Sequence, residues 1–232
     1  MTTLFWVSFW VLCYVYAGYP LLVWALARVF GRDPMKRDIT PSVSLLIPAY
    51  NEQAHIEAKL RNSLHLDYPK DRLEIVVASD GSTDRTNAIA TRFRPQGVTL
   101  LAMRDNIGKS AMLSRTVPFL RGEIVVFSDA SSELEPNALR RLVRSFADRQ
   151  VGCVSGLYRL KGSSDLRGQG EGLYWQYETF IKHEESRLHS ILGAHGAFYA
   201  IRKALFERFG EGTINDDYLI PMRIVAQGYR AV

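Results

Sequence analysis

The sequence predicts an α/β domain with a mostly parallel sheet and helices on both faces, preceded by one transmembrane helix. Three observations carry that prediction. Residues 1–27 contain no Asp, Glu, Lys or Arg, although the chain holds 29 basic and 24 acidic side chains. Beyond residue 42, short apolar runs alternate four times with stretches of helical periodicity. Each of those runs is followed by a polar cluster. Strands buried on both faces read as continuous apolar runs, and a β-α-β-α order implies a parallel sheet covered by helices.

The apolar opening comes first. Leu4 to Ala27 is uncharged and gives about 36 Å of helix, enough to cross a hydrocarbon core of about 30 Å with some tilt. A signal peptide wants a basic start and a shorter apolar run, and Met1-Thr2-Thr3 supplies no basic start. Gly18 and Pro20 predict a kink, with a neighbouring helix satisfying the carbonyl that Pro20 leaves free. Arg28, Arg32, Lys36 and Arg37 follow at once, so the positive-inside rule places the rest of the chain in the cytoplasm, at the cell membrane. The net charge of +5 then reflects topology and anionic lipid. No basic stripe interleaved with aromatics and no zinc-finger spacing occurs, so no nucleic-acid partner is expected. Cys13 and Cys153, with no metal-type spacing, fit a reducing compartment.

The domain boundaries follow: an anchor over 1–27, a basic linker over 28–42, and a catalytic domain over 43–232. Within the last, Val43–Ile47, Leu73–Ala78, Val98–Ala102 and Glu123–Phe127 are expected strands. Glu52–His65, Asp84–Phe93, Lys109–Leu120 and Pro136–Ala147 are the expected helices. Ligands of such sheets bind beyond the carboxyl ends of the strands. The clusters that fall there are Pro48-Ala49-Tyr50-Asn51-Glu52, Ser79 to Asp84, Asp105 to Lys109, and Ser128 to Ser132.

Each cluster admits a bland and a chemical reading. Gly81, Ser82 and Thr83 are explained by a turn and a helix N-cap; Asp80, at the end of an apolar strand, can instead accept an N–H from a nucleobase. Lys109 opens a helix, where backbone N–H groups favour a diphosphate, or is a solvated surface lysine. Asp129 ends a buried strand and has the chemistry to hold Mg2+ or Mn2+ with substrate phosphates, or starts a polar turn. Asp216 and Asp217 cap a helix, or repel each other enough to raise one toward the range of a general base. His183, His189 and His195 lack metal-type spacing. Tyr174, Trp175, Tyr177 and Phe180 make an aromatic helix face that suits core or membrane packing better than sugar stacking.

Together these segments resemble a membrane-bound family 2 glycosyltransferase of the GT-A fold, the group that includes cellulose and hyaluronan synthases. The residues that match are Ile47 to Glu52, Ser79 to Asp84, Asn106 to Lys109, Asp129-Ala130-Ser131, Gly196 to Arg202 and Asp216-Asp217, with Tyr16 to Pro20 in the anchor. The resemblance implies a nucleotide-sugar pocket lined by Pro48, Ala49, Tyr50, Glu52 and Asp80, with Lys109 and Asp129 at the diphosphate and Asp129 on a Mg2+ or Mn2+ cofactor. It implies Asp217 as catalytic base, paired with Asp216, and Gly196, Ala197, Phe198 and Tyr199 beside the acceptor. The implied partners are a nucleotide-sugar donor, a UDP-sugar first, a saccharide or lipid-linked acceptor, and a membrane. Ser131 stands where the family's D-x-D motif has its second acid. The family's Q-x-x-R-W segment does not occur before Val232, so the catalytic domain reads as cut before its last elements. A nucleotide-sugar-binding scaffold without turnover is the competing reading. A nucleotidyltransferase would want a glycine-rich triphosphate loop, which Pro48 to Glu52 does not offer.

Overall fold

A computed structural model describes residues 2–157, 166–210 and 215–232, and of 166–174 the backbone alone. The side chain of Tyr174, and Glu211 and Gly212 ahead of the acidic pair, lie outside the described residues. The chain divides into two compact units. Residues 2–34 and 166–191 form one, and residues 35–157 and 192–231 the other. This division differs from the sequence-based boundaries, because 166–191 groups with the N-terminal helix and most of the expected basic linker groups with the sheet.

In the first unit, α1 (Thr2–Cys13) and α2 (Tyr19–Phe30) are joined by a π-helical turn at Tyr14–Gly18. The continuous run Thr2–Phe30 has the length and composition to cross a membrane. No residue of α1 is buried, whereas α2 buries Pro20, Val23 and Ala27. Those residues face α7 (Leu166–Leu188). Pro20 has no N–H to give to Tyr16 four residues back. The hydroxyl of Tyr177 on α7 donates to that carbonyl at 2.8 Å, so a neighbouring helix satisfies the orphaned acceptor. Tyr19 donates its hydroxyl to Glu185 Oε1. Tyr177, from the expected aromatic face, is therefore a packing residue.

Among the described residues, the second unit holds a seven-stranded sheet in the order β3-β2-β1-β4-β6-β5-β7. The strands are β1 (Val43–Ala49), β2 (Leu73–Ser79), β3 (Val98–Ala102), β4 (Ile124–Ser128), β5 (Val151–Ser155), β6 (Phe198–Arg202) and β7 (Arg230–Ala231). The helices are α3 (Ile56–Leu64), α4 (Thr86–Thr91), α5 (Lys109–Thr116), α6 (Ala138–Val143) and α8 (Asp216–Ala226). Leu45, Leu46, Ile47, Val125, Val126 and Phe127 are buried at the centre, as parallel strands covered on both faces require. The pairs β1–β2, β2–β3 and β1–β4 are parallel.

β6 breaks the pattern, running antiparallel to both β4 and β5. Ser155 at the end of β5 pairs with Tyr199 near the start of β6, so the chain between them leaves and re-enters at one edge. A connection that returns to its own edge reverses the strand. The consequence is functional: Phe198 is registered opposite Ser128. The start of β6 therefore lies at the same sheet edge as the carboxyl ends of β1, β2, β3 and β4.

Candidate functional site

The site grows from that edge. Ala49 pairs with Ser79, and Ser79 with Ala102, so the loops after β1, β2 and β3 leave the sheet side by side. Asn51 welds the first two. Its backbone adopts a left-handed φ of 54°, which Asn tolerates better than most residues. Its Oδ1 accepts the N–H of Thr83 at 2.9 Å, and its own N–H donates to Ser82 Oγ at 3.1 Å. Gln53 N–H in turn donates to Asp84 Oδ2 at 3.0 Å. Pro48 and Ala49 thus end β1, Tyr50 is held half-exposed, and Glu52 pairs with His55 at 2.8 Å. Asn51 belongs to the sequence cluster but was not assigned a part; its tolerance of positive φ was the available signal. Asp84 accepts the N–H of Thr86, the first residue of α4, at 2.9 Å.

Asp80 does something else. It is 4% exposed, and its Oδ1 and Oδ2 accept the N–H groups of Ile107 at 2.8 Å and Gly108 at 2.9 Å. The next residue, Gly81, has φ 67°, and a Cβ there would lie 2.4 Å from the Asn106 nitrogen. Asp80 and Gly81 therefore seat the loop that opens α5, and Lys109 is the first residue of that helix.

Lys109 is the pivot of the charged centre. Its Nζ lies 3.5 Å from Asp129 Oδ1 and 3.6 Å from Asp216 Oδ1. Lys109 and Asp129 are about two-fifths exposed, whereas Asp216 is buried. Burial pushes the Asp216 carboxyl above its ordinary value; Lys109 opposes the rise and the neighbouring Asp217 charge adds to it. Asp216 Oδ2 also accepts the hydroxyl of Tyr199 at 3.3 Å. Tyr199 is completely buried and stacked on Phe127 with ring centroids 4.5 Å apart. Tyr199, expected beside the acceptor, is turned by strand alternation into the core beneath Asp216.

Asp217 faces the other way. A Cβ on Gly196 would lie 2.7 Å from Asp217 Oδ2, and the N–H of Ala194 donates to the Asp217 carbonyl at 2.9 Å. Gly196, Ala197 and Phe198 are all half-buried. The 193–198 segment thus lies directly on the first turn of α8, where acidic residues also suit the helix dipole.

Lys59 is the residue that sequence reading missed. It is 2% exposed, on the face of α3 that also buries Ile56, Leu60 and Ser63. Its Nζ donates to Ser128 Oγ at 2.6 Å, Ser132 O at 2.9 Å and Ser132 Oγ at 3.1 Å. Burial pushes its ammonium down to about 7, partly opposed by the Asp129 charge. The signal was present, since spacing places residue 59 on the apolar stripe of that helix.

The donor set can be weighed for a divalent cation. Among the described residues, no group of three His, Cys, Asp or Glu is arranged to hold a metal. Asp129 offers a partly exposed carboxylate at a strand end, and Ser131 beside it is exposed and adds no charge. Hard oxygen of this kind fits Mg2+ or Mn2+ when substrate phosphates and water complete the shell. His195 lies in the 193–198 segment, with Nδ1 3.4 Å from the Ala197 nitrogen, whereas His183 and His189 belong to the other unit.

Comparison with known proteins agrees with this geometry. The glycosyl transferase family 2 profile matches residues 44–210. A mannosyltransferase from Pyrobaculum calidifontis, solved with GDP-Man and Mn2+, superposes with a TM-score of 0.80 at 29% identity, over 96% of this chain and 64% of that one. The β-monoglucosyldiacylglycerol synthase of Synechocystis is 31% identical over 79% of this chain and 40% of its own length. The poly-β-1,6-N-acetyl-D-glucosamine synthase of Staphylococcus aureus is 24% identical over 83% of this chain and 48% of its own length. The chain thus spans about half the length, or less, of the curated relatives it matches. With a GT-A-like sheet, nucleotide-sugar-using relatives and a family profile across most of its length, the chain belongs to glycosyl transferase family 2.

Proposed function

We propose that the chain transfers a sugar, with inversion, from a nucleoside-diphosphate sugar to a lipid-linked or saccharide acceptor at the cytoplasmic face of a membrane. The observation that carries this reading is the division of labour around Lys109. Asp129 and Asp216 lie within 3.6 Å of its ammonium, while Asp217, next to Asp216, lies against Gly196. Lys109 meets the diphosphate charge. Asp217 takes the proton of the acceptor hydroxyl, whose oxygen attacks the anomeric carbon as the bond to the diphosphate breaks. Mg2+ or Mn2+ supplies charge neutralisation at the departing diphosphate when bound, and Asp129 is the residue that would hold it. Pro48, Ala49, Tyr50 and Glu52 line the nucleoside side, and Asp80 holds the loop that presents Lys109. A lipid acceptor is supported by the Synechocystis relative's name and by the apolar helix Thr2–Phe30, whose single charge is Arg28 near its end, and which this reading makes the anchor.

The test is a panel of UDP- and GDP-sugars on membranes carrying the chain, with and without divalent metal, followed by nucleoside diphosphate release. GDP-sugars join the expected UDP-sugars because the archaeal mannosyltransferase carries GDP-Man. Asp217→Asn is expected to abolish transfer and leave nucleotide binding intact; turnover at the wild-type rate refutes the assignment of the base. Ser131, standing where a second acid is expected, favours one other reading: a scaffold that binds nucleotide sugars without turnover. Metal-dependent release by the wild-type chain excludes it.

A further inference from the structure

Lys59 has no part in the chemistry just described, yet the fold buries an ammonium there. Burying a charge is costly unless every N–H finds an acceptor. On a stripe shared with Ile56 and Leu60, an apolar side chain would fill the position without that cost. All three Lys59 donors are satisfied, and all three point at one turn. They go to Ser128 Oγ at the end of β4 and to the carbonyl and hydroxyl oxygens of Ser132. Between those two serines lie Asp129, Ala130 and Ser131.

The network continues. Ser132 Oγ lies 2.8 Å from the Asp129 carbonyl. The hydroxyls of Ser128 and Ser132 lie 3.3 and 3.4 Å from the Ala197 carbonyl, and the N–H of Asp129 donates to that same carbonyl at 3.3 Å. One buried ammonium therefore joins α3, the Asp129 turn and the segment leading into β6. Fully satisfied buried networks of this kind specify one arrangement of the elements they join.

We infer that Lys59 is a positioning residue of the donor site, fixing the Asp129–Ser132 turn from beneath and tying it to the Gly196–Phe198 segment. The inference rests on the proposed donor site and adds a residue to it. In a turn with Ser131 in place of a second carboxylate, Asp129 carries the cation with less help from its own loop. The fixed geometry of that one carboxylate then matters more. Partners behind a metal ligand typically set affinity by 10–100-fold.

The experiment compares the full 232-residue chain in detergent with two variants, Lys59→Met and the triple variant Lys59→Met/Ser128→Ala/Ser132→Ala. Binding of UDP and of GDP is titrated with and without Mn2+, and thermal unfolding is recorded. Lys59→Met is expected to weaken Mn2+-dependent nucleotide binding by about tenfold or more and to lower the unfolding temperature. The triple variant removes the hydroxyls left without their donor, so it is expected to regain unfolding temperature but not affinity. Recovery of affinity together with stability overturns the inference in favour of a merely structural lysine, and so does wild-type affinity in Lys59→Met. If the wild-type chain binds neither nucleotide with Mn2+, the donor-site reading fails first and the inference falls with it. If wild type and Lys59→Met bind equally, only the assignment of Lys59 falls.

Discussion

Adding a single methyl group at Gly196 separates folding from catalysis in this site. A Cβ there would lie 2.7 Å from Asp217 Oδ2 and 3.3 Å from Asp217 Cγ, with no backbone atom among its closest neighbours. Gly196 is not among the residues with positive φ, so alanine meets no backbone penalty. The carboxylate is the end of a rotatable side chain, and it must retreat by about 0.7 Å to reach the 3.4 Å at which ordinary contact begins. An off-rotamer shift costs the fold on the order of 1 kcal/mol. For a general base the same shift is severe, because a misplacement near 1 Å costs about 10²-fold, or about 2.7 kcal/mol of barrier. Gly196→Ala is therefore expected to lower kcat for nucleoside diphosphate release by about 10- to 100-fold, with donor KM unchanged because Lys109 and Asp129 are untouched. Gly193→Ala is the control, since its Cβ would meet Tyr218 Cδ2 at 3.5 Å and the Asp217 carbonyl at 3.8 Å, which is ordinary contact. Wild-type kcat in Gly196→Ala refutes the reasoning, as does an equal loss in both variants.

Lys109→Gln removes a partly exposed pair with Asp129 and the cation facing buried Asp216, so thermal unfolding is expected to report a loss of about 1 kcal/mol or more. Donor KM is expected to rise roughly tenfold or more, and an unchanged KM removes Lys109 from the diphosphate. Asn51→Gly keeps the φ of 54° accessible but loses the side-chain bonds to Thr83 in the loop after β2. Asn51→Ala loses both and is expected to be less stable than the glycine variant by about 1 kcal/mol in urea titration; equal stability denies backbone strain there. Glu74 lies at the opposite edge of the sheet. Burial alone would raise its carboxyl, but hydrogen bonds from Ser44 and Arg121 outweigh this and hold it below its ordinary 4.5. A lowered folded value means stability that is present above pH 4.5 and lost as pH falls through the folded value. Glu74→Gln is thus expected to cost on the order of 1–2 kcal/mol at pH 7 and progressively less below pH 4.5. A cost independent of pH refutes the ionic origin.

β1, β2 and β4 were legible because a strand buried on both faces favours a continuous apolar run, as in Ile124 to Phe127. Helix starts were less so. A helix from Glu52 was expected, and α3 begins at Ile56, because the preceding residues are drawn into the loop joint through Asn51 and Asp84. That is a tertiary demand, invisible to local periodicity. β6 (Phe198–Arg202) was not among the expected strands, and its direction depends on where a long connection returns. Burial had the same limit: Tyr199 and Lys59 are sorted by which face of a strand or helix meets the core. For Lys59 the spacing with Ile56, Leu60 and Ser63 carried that information, while its charge argued against a core position.

The adjacent acids show why spacing alone could not apportion their roles. Two neighbouring carboxylates suggest one with a raised pKa, and the raised one is Asp216. Affinity for protons would then nominate Asp216 as the base. Geometry decides otherwise. Asp216 Oδ1 faces Lys109 at 3.6 Å and its Oδ2 accepts from buried Tyr199 at 3.3 Å, so it has no free oxygen within reach of an incoming hydroxyl. Asp217 is half-buried, borders Gly196, and presents Oδ2 where a side chain would otherwise stand. Reach to the proton ranks ahead of proton affinity when a base is chosen. The raised carboxyl of Asp216 is then a consequence of burial beside Tyr199, and in the proposed mechanism it holds Lys109 opposite Asp129. On that proposal one turn of helix turns two identical residues into a structural counter-ion and a general base, and the absent side chain of Gly196 keeps the second one accessible.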